Sequence, residues 1–218
     1  MSFSNQKSTS PINGKTVISI PISDGLISLR ALSPKRFRFE LEYALERGTT
    51  ANSFLFTANS EHENIKHPGI LVHPPGANFS DVFIPALLRA LPEKTEALWV
   101  IVGHINPNRV SLLQELSRSL PQIKLICSNP GAQLLQRIWH QKKPSRPENN
   151  PALKIEIPPI PEIRLIKKSD TITLGKKYLL HLIATPTARW PGGLMAIEEN
   201  LGLLMSDKIF GAHICTES

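Results

Sequence analysis

The stretch that decides the fold spans residues 97–128 and reads ALWVIVGHINPNRVSLLQELSRSLPQIKLICS. It opens with a short apolar run and a polar loop. Next comes a segment with leucines at helical spacing, and after it a second apolar run, IKLIC. Short apolar runs bounded by turn residues predict buried strands, and the leucine spacing predicts an amphipathic helix between them. This order of strand, helix and strand predicts an α/β fold with helices packed over a sheet.

The same alternation extends on both sides of this stretch. Upstream, GILVHPPG at residues 69–76 predicts a buried strand that the prolines and Gly76 end. SDVFIPALLRAL at residues 80–91 then predicts a helix, with Ser80 as its N-cap. Downstream, GAQLLQRIWHQ at residues 131–141 predicts another helix. The middle of the chain therefore alternates strands and helices.

Strands are predicted to dominate both ends of the chain. RFRFELEY at residues 36–43 alternates apolar and charged side chains, which is typical of a half-buried strand. GTTANSFLFTA at residues 48–58 predicts a turn and a second strand. Near the other end, residues 163–175 and 176–185 predict two strands joined by a polar turn, and residues 194–206 predict a hairpin.

The chain length and the positions of polar and proline-rich segments predict one main domain with two irregular segments. Residues 1–15 are polar and predict a disordered lead-in, so the domain is placed at residues 16–218. Six prolines between residues 142 and 161 exclude regular interior structure there. We interpret that segment as an extended surface excursion or inserted loop without a function of its own.

Composition excludes several classes of protein. The chain has 218 residues, 41% of them hydrophobic and 20% charged, which is ordinary for a globular domain. It has no apolar run of about 18 residues, so no membrane span is predicted. The net charge is +7, but the densest basic cluster, QKKPSR, has no neighbouring aromatics on which bases could stack, so nucleic-acid binding is not predicted. Two cysteines exclude a disulfide framework.

Several blocks of the sequence, in order, resemble the metallo-β-lactamase-like half of flavodiiron proteins. The most specific are GTTANSFL, GHINPNRV, CSNPGA and RWPGGLMAIEENLGLLMSDKIFGAH. The resemblance runs from about Ile27 to the C-terminus and implies an αββα sandwich. It also implies that the sandwich is incomplete at the C-terminal end of this chain. The flavodoxin-like and flavin reductase domains of the full-length family have no counterpart in this sequence.

The resemblance also implies where two iron ions lie in active members. Their ligands include a His-x-Glu-x-Asp-His run, a later His before Trp-Pro and an Asp in an Asn-Asp-x-Phe-Gly segment. In this chain only the first His is kept, and Asp207 lies one residue away from the position of that Asp. The corresponding positions, a degenerate metal site, are His104, Asn106, Asn108, Arg109, Arg189 and Lys208.

These replacements remove the groups that iron requires. Iron in such a site takes carboxylate and imidazole donors, whereas an amide is a weak neutral ligand and a guanidinium has no lone pair to donate. The sequence therefore predicts no metal and no catalysis by this chain alone. Hydrolase chemistry, as in the wider superfamily, also lacks its metal centre. Arg109, Arg189 and Lys208 could converge into a basic pocket that binds a small anion, or the two arginines could each be solvated.

The pattern is similar to the class of the family found in oxygenic phototrophs, where paralogues act in pairs. The loop LVHPPGANF also resembles that class. The implied function is a module of an NAD(P)H:oxygen oxidoreductase that photoreduces O2 to water. Its partner would be an iron-competent paralogue, in a hetero-oligomer, or a second copy in a self-dimer.

The resemblance carries expectations about cofactors and location as well. No cofactor is expected in this chain, and FMN, with FAD or NAD(P)H, is expected in the full-length family or the partner. The cytoplasm of a phototrophic bacterium is favoured over the chloroplast stroma. The alternative functions are a non-catalytic module whose basic pocket binds an anion, and a truncated inactive fragment.

Overall fold

The computed structural model of the chain describes residues 7–34, 48–57, 67–93, 95–141 and 156–210. The strand predicted at residues 36–43 and the first part of the proline-rich segment, residues 142–155, lie outside the described residues. In the part of the chain that is described, no helix is long and apolar enough to cross a membrane.

An eight-stranded sheet forms the centre of the molecule, with its strands in chain order from β1 to β8. Neighbouring strands are antiparallel from β1 to β5 and parallel from β5 to β8. The strands are β1 Lys7–Ser8, β2 Thr16–Ser23, β3 Leu26–Ser33, β4 Thr49–Phe56, β5 His67–Val72, β6 Thr95–Ile101, β7 Ile123–Ser128 and β8 Ile163–Ile166.

Three helices connect the parallel strands, because a parallel pair needs a crossover. They are α1 Ser80–Ala90, α2 Pro107–Ser119 and α3 Asn129–Trp139. Their apolar faces and one face of the sheet enclose the first hydrophobic core. The structure confirms the predicted helices to within about two residues at each end.

The predicted N-cap of α1 is wrong. A 3-10 turn at Ala77–Phe79 leads into α1, so the cap position is Phe79 and Ser80 already has helical backbone angles. The Ser80 hydroxyl is buried without a hydrogen-bond partner. The prediction missed the 3-10 turn, which precedes Ser80 and moves the cap position to Phe79.

A four-stranded antiparallel sheet packs against the other face of the central sheet. Its order is β12-β11-β10-β9, and the second hydrophobic core lies between the two sheets. The predicted hairpin at residues 194–206 is confirmed as β11 and β12. The strands are β9 Ser169–Leu174, β10 Tyr178–Ala184, β11 Leu194–Glu198 and β12 Leu203–Met205.

The strand predicted at residues 163–175 is two strands in different sheets. β8 pairs with β7 in the central sheet, whereas β9 pairs with β10 in the second sheet. The exposed residues Lys167 and Lys168 lie at the crossing point. The apolar pattern is similar on both sides of these lysines, so periodicity could not indicate which sheet each half joins.

The sheet begins earlier than the sequence predicted. Strands β2 and β3 form a hairpin around Gly25, which has a positive φ of 74°. A Cβ on Gly25 would lie 2.4 Å from the carbonyl oxygen of Thr57, so glycine is required there. Because β1 pairs with β2, the second half of the predicted lead-in, residues 1–15, includes part of the sheet.

The described end of the proline-rich segment, residues 156–161, packs against the core. The indole Nε1 of Trp139 donates a hydrogen bond to the carbonyl oxygen of Pro158 at 2.8 Å. Arg118 donates to the carbonyl oxygen of Glu156 at 2.9 Å, and Ile157 and Ile160 contact the first core. This part of the predicted surface excursion therefore covers apolar surface.

Candidate functional site

A cavity of about 260 Å³ opens at one edge of the central sheet. The ends of β5 and β6, the start of β4 and the residues after β12 surround it. Loops at strand ends commonly hold binding groups in such folds. The predicted site residues in its wall are His104, Asn106, Asn108, Arg109 and Lys208.

Arg109 lies in the first turn of α2 and points into the protein. Its side chain is only 9% exposed. The guanidinium Nη1 donates to both carboxylate oxygens of Asp207 at 3.3 Å and to the carbonyl oxygen of His104 at 3.2 Å. The arginine therefore links α2 to the loops after β6 and β12.

Asp207 supplies the carboxylate of this pair. It has a positive φ of 54°, and its side chain is 11% exposed. Burial by itself raises the pKa of this carboxyl, but the charge of Arg109, with contributions from His73, Lys208 and His104, lowers it to about 2. The carboxylate is therefore ionised at neutral pH, beside a buried cation. The motif resemblance places Asp207 one residue away from an iron-ligand position, whereas the structure places Asp207 in the wall of the cavity.

Asn106 caps α2 and contacts the retained histidine. Its Oδ1 accepts a hydrogen bond from the backbone N–H of Arg109 at 2.7 Å, so its Nδ2 faces Nε2 of His104 at 3.1 Å. An amide nitrogen can only donate, so we assign Nε2 of His104 as unprotonated. Burial and the charge of Arg109 lower the pKa of His104 to about 4, which keeps the imidazole neutral at neutral pH.

His73 is the site residue that sequence reasoning undervalued. It directly follows β5, is only 3% exposed and lines the cavity. Its Nε2 lies 3.1 Å from the carbonyl oxygen of Met205, and its Nδ1 has no hydrogen-bond partner. Burial lowers the pKa of His73. The only signal in the sequence was a histidine directly after an apolar strand.

The structure does not bring Arg189 to the cavity. Its side chain is exposed and lies over the ring of Trp190, with Cζ 5.6 Å from the ring centroid. A turn holds this loop, because Thr187 Oγ1 accepts from the backbone N–H of Trp190 at 3.0 Å. The predicted convergence of three cations is therefore wrong, since only Arg109 and Lys208 line the same cavity.

The remaining amide, Asn108, packs against the loop after β5. A Cβ on Gly76 would lie 1.9 Å from Nδ2 of Asn108, so the two residues are in direct contact. Among the described residues, no group of three or more His, Cys, Asp or Glu side chains is placed to hold a metal ion. The wall combines the imidazoles of His73 and His104 and the carboxylate of Asp207 with amides and cations.

Two curated proteins illustrate what the sequence is similar to. The chain is 37% identical over 196 residues to diflavin flavoprotein A 6 of Nostoc sp. The matched region covers 90% of this chain and 30% of that protein. The chain is 36% identical over 201 residues to diflavin flavoprotein A 3 of Synechocystis sp., with 92% and 30% covered. The chain thus spans about 30% of the length of these relatives. No protein-family model matches it.

Solved structures give the same result for the fold. A metal-soaked Flv1 flavodiiron core from Synechocystis sp. has a TM-score of 0.76 and 34% identity, covering 94% of this chain and 45% of that one. A fragment of diflavin flavoprotein A 5 from Nostoc sp. has a TM-score of 0.74 and 32% identity, covering 94% and 70%. A flavoprotein from Thermotoga maritima has a TM-score of 0.71 but 19% identity, so it supports the fold alone.

Proposed function

Because the chain belongs to the flavodiiron family of diflavin flavoproteins and corresponds to their metallo-β-lactamase-like domain, we propose that it serves as a metal-free module of an oxygen-reducing assembly. The observation that carries the proposal is the buried pair of Arg109 and Asp207 in the cavity where the resemblance places the irons. The guanidinium supplies a positive charge beside the carboxylate, a role that a metal ion fills in an iron-binding member.

Electrostatics supports the absence of iron from this cavity. A metal cation brought beside Arg109 and Lys208 would be repelled by both side chains in a poorly solvated site. A guanidinium also has no lone pair to donate, so Arg109 cannot serve as a ligand to iron. Asp207 is already paired with Arg109, and His104 with Asn106. The residues present therefore do not fit a diiron centre.

The oxygen chemistry is assigned to the assembly rather than to this domain. The chain spans about 30% of its curated relatives, so the flavin-binding parts of such a protein lie outside the described fold. We assign FMN and the NAD(P)H-dependent step to those parts or to the partner. O2 reduction to water falls to an iron-competent paralogue bound to this chain, in the cytoplasm of a phototrophic bacterium.

Metal analysis tests the metal-free part of the proposal. The chain is incubated with ferrous iron under anaerobic conditions, desalted and measured by inductively coupled plasma mass spectrometry. We expect iron far below one equivalent per chain, while an iron-competent paralogue treated in parallel retains its iron. Stoichiometric iron in the chain would overturn this part of the proposal.

Association with a paralogue is tested separately. The chain is mixed with a paralogue that carries the full set of iron ligands, and the mixture is analysed by sedimentation velocity. A complex heavier than either component supports the hetero-oligomer, whereas self-association alone supports the self-dimer. Oxygen uptake by the chain alone, measured with an electrode and a flavin reductant, should be absent.

The alternative of an anion site built from three cations is not supported in the predicted form. Arg189 lies outside the cavity, and Arg109 is already paired with Asp207. Any anion in the cavity would have to be recognised by a different set of groups.

A further inference from the structure

His73 lines the cavity and carries a buried hydrogen-bond acceptor. Its Nε2 lies 3.1 Å from the carbonyl oxygen of Met205. A carbonyl can only accept, so Nε2 carries the ring hydrogen and Nδ1 carries a lone pair. Nδ1 is buried and has no partner. A buried acceptor without a donor is unfavourable, so a bound molecule with a hydroxyl hydrogen would stabilise this site.

The formal charges of the wall favour a monoanion. Among the described residues that line the cavity, the charged ones are Arg109, Lys208 and Asp207. The sum is one positive charge. Because Asp207 is held by the guanidinium of Arg109 at 3.3 Å, its repulsion of an anion is offset locally.

The first turn of α2 adds to this preference. Asn106, Asn108 and Arg109 line the cavity, and the first turn of the 13-residue helix contains no acidic residue. The N-terminal end of a helix attracts negative charge. At about 260 Å³, the cavity has room for a small polyatomic anion together with water.

We propose that this cavity binds a small monoanionic oxyacid that keeps one hydroxyl hydrogen, with bicarbonate as the ligand. Its hydroxyl donates to Nδ1 of His73, and its negative oxygens face Lys208 and the first turn of α2. The inference rests on the proposed absence of iron, because iron would occupy the same space. Dihydrogen phosphate shares the hydroxyl and the single charge, so it is the alternative source of this chemistry.

A pair of isosteric anions tests the proposal. The 218-residue chain is titrated calorimetrically with sodium bicarbonate and with sodium nitrate, in sealed cells at mildly alkaline pH and constant ionic strength. Both ions are planar and singly charged, but only bicarbonate has a hydroxyl. We expect bicarbonate to bind about tenfold more tightly than nitrate, because only bicarbonate satisfies the buried acceptor. A third titration uses sodium phosphate at mildly acidic pH, where dihydrogen phosphate is the main species, and bicarbonate is titrated again under the same conditions for comparison.

Variants separate the two recognition groups. His73→Phe removes the acceptor and should lower bicarbonate affinity to that of nitrate. Lys208→Gln removes one cavity charge and should weaken both anions by about tenfold. Lys176→Gln makes the same charge change at an exposed position in the β9–β10 turn and should alter neither affinity. If His73→Phe does not fold, the Lys208→Gln variant and the comparison of bicarbonate with nitrate still test the proposal.

Three results would overturn the proposal. They are no bicarbonate binding by the unmodified chain, equal binding of bicarbonate and nitrate, and an equal loss in Lys208→Gln and Lys176→Gln. Tighter binding of phosphate than of bicarbonate would overturn bicarbonate as the ligand. Iron is measured on the same samples, so stoichiometric iron would mark a failure of the metal-free proposal and not of anion recognition.

Discussion

The pair of Arg109 and Asp207 is the residue-level feature on which the site depends. Their side chains are 9% and 11% exposed, so both charges have lost most of their hydration. In a buried environment the attraction between the two charges mainly offsets their cost of desolvation. Removing one partner leaves the other as a buried charge without a counter-charge. The alignment of ligand positions predicted Arg109 at the site but assigned Lys208, not Asp207, to the carboxylate position.

Substituting Asp207 should therefore be costly. Asp207→Asn leaves a buried guanidinium without its carboxylate, and we expect a loss of about 3–5 kcal/mol in the free energy of unfolding. The matched control is Asp170→Asn, which removes the partner of Arg164 at a surface pair with side chains 37% and 36% exposed. We expect at most about 1 kcal/mol there. Urea unfolding measures both, and equal losses would contradict the burial argument.

The histidines of the cavity predict how stability changes with pH. The pKa of His104 falls from 6.5 to about 4 on folding, and that of His73 is also lowered, mainly by burial in both cases. The unfolded chain then binds more protons between these values, so stability is present above pH 6.5 and is lost as the pH falls towards 4.

His104→Gln tests this dependence. The free energy of unfolding of the unmodified chain should decrease as the pH falls from 6.5 to about 4, and the variant should show a smaller decrease. Asp207 does not contribute in this range, because its pKa falls from 3.8 to about 2 and its loss of stability begins below the histidine window. A variant with an unchanged slope would show that His104 does not carry the effect.

The start of α2 is the element on which the site is built. Asn106 followed by Pro107 is a strong helix-start signal, because an amide at the cap accepts a backbone N–H and proline suits the first turn. The structure confirms the helix and places its start at Pro107. The sequence could not show that the other end of the same amide contacts His104.

Removing this cap should destabilise the chain moderately. Asn106→Ala loses the hydrogen bond from the backbone N–H of Arg109, and we expect a loss of about 1 kcal/mol in the free energy of unfolding. Asn106→Ser keeps an acceptor at the cap position, so it should lose less. Thermal unfolding of the two variants provides the comparison, and equal melting temperatures would argue against a capping role.

At the scale of the whole molecule, the central sheet is buried on both faces. Leu125 of β7 contributes to the core under the helices, and its neighbour Ile126 contributes to the core between the sheets. Continuous apolar runs such as IKLIC are typical of strands covered on both sides. The described residues thus form three layers, with helices, central sheet and second sheet in that order.

Adjacent substitutions in β7 test this layering. Leu125→Ala and Ile126→Ala each remove a fully buried side chain, and we expect each to lower the free energy of unfolding by about 2–5 kcal/mol. Lys124→Ala, with a side chain 37% exposed, should stay within about 0.5 kcal/mol. If only one of the two apolar substitutions were costly, one face of the sheet would not be buried as the structure describes.

The sequence by itself determined the strand and helix alternation, the family and five residues of the cavity wall. These follow from local signals: apolar periodicity, the Asn-Pro helix start and ungapped motif blocks. Only the tertiary structure decided that residues 163–175 divide between two sheets, that Arg189 stays outside and that Asp207 and His73 face the cavity. The reason is physical. Partners such as Arg109 and Asp207 lie far apart in the chain, and a side chain's direction and burial depend on how sheets and loops pack together.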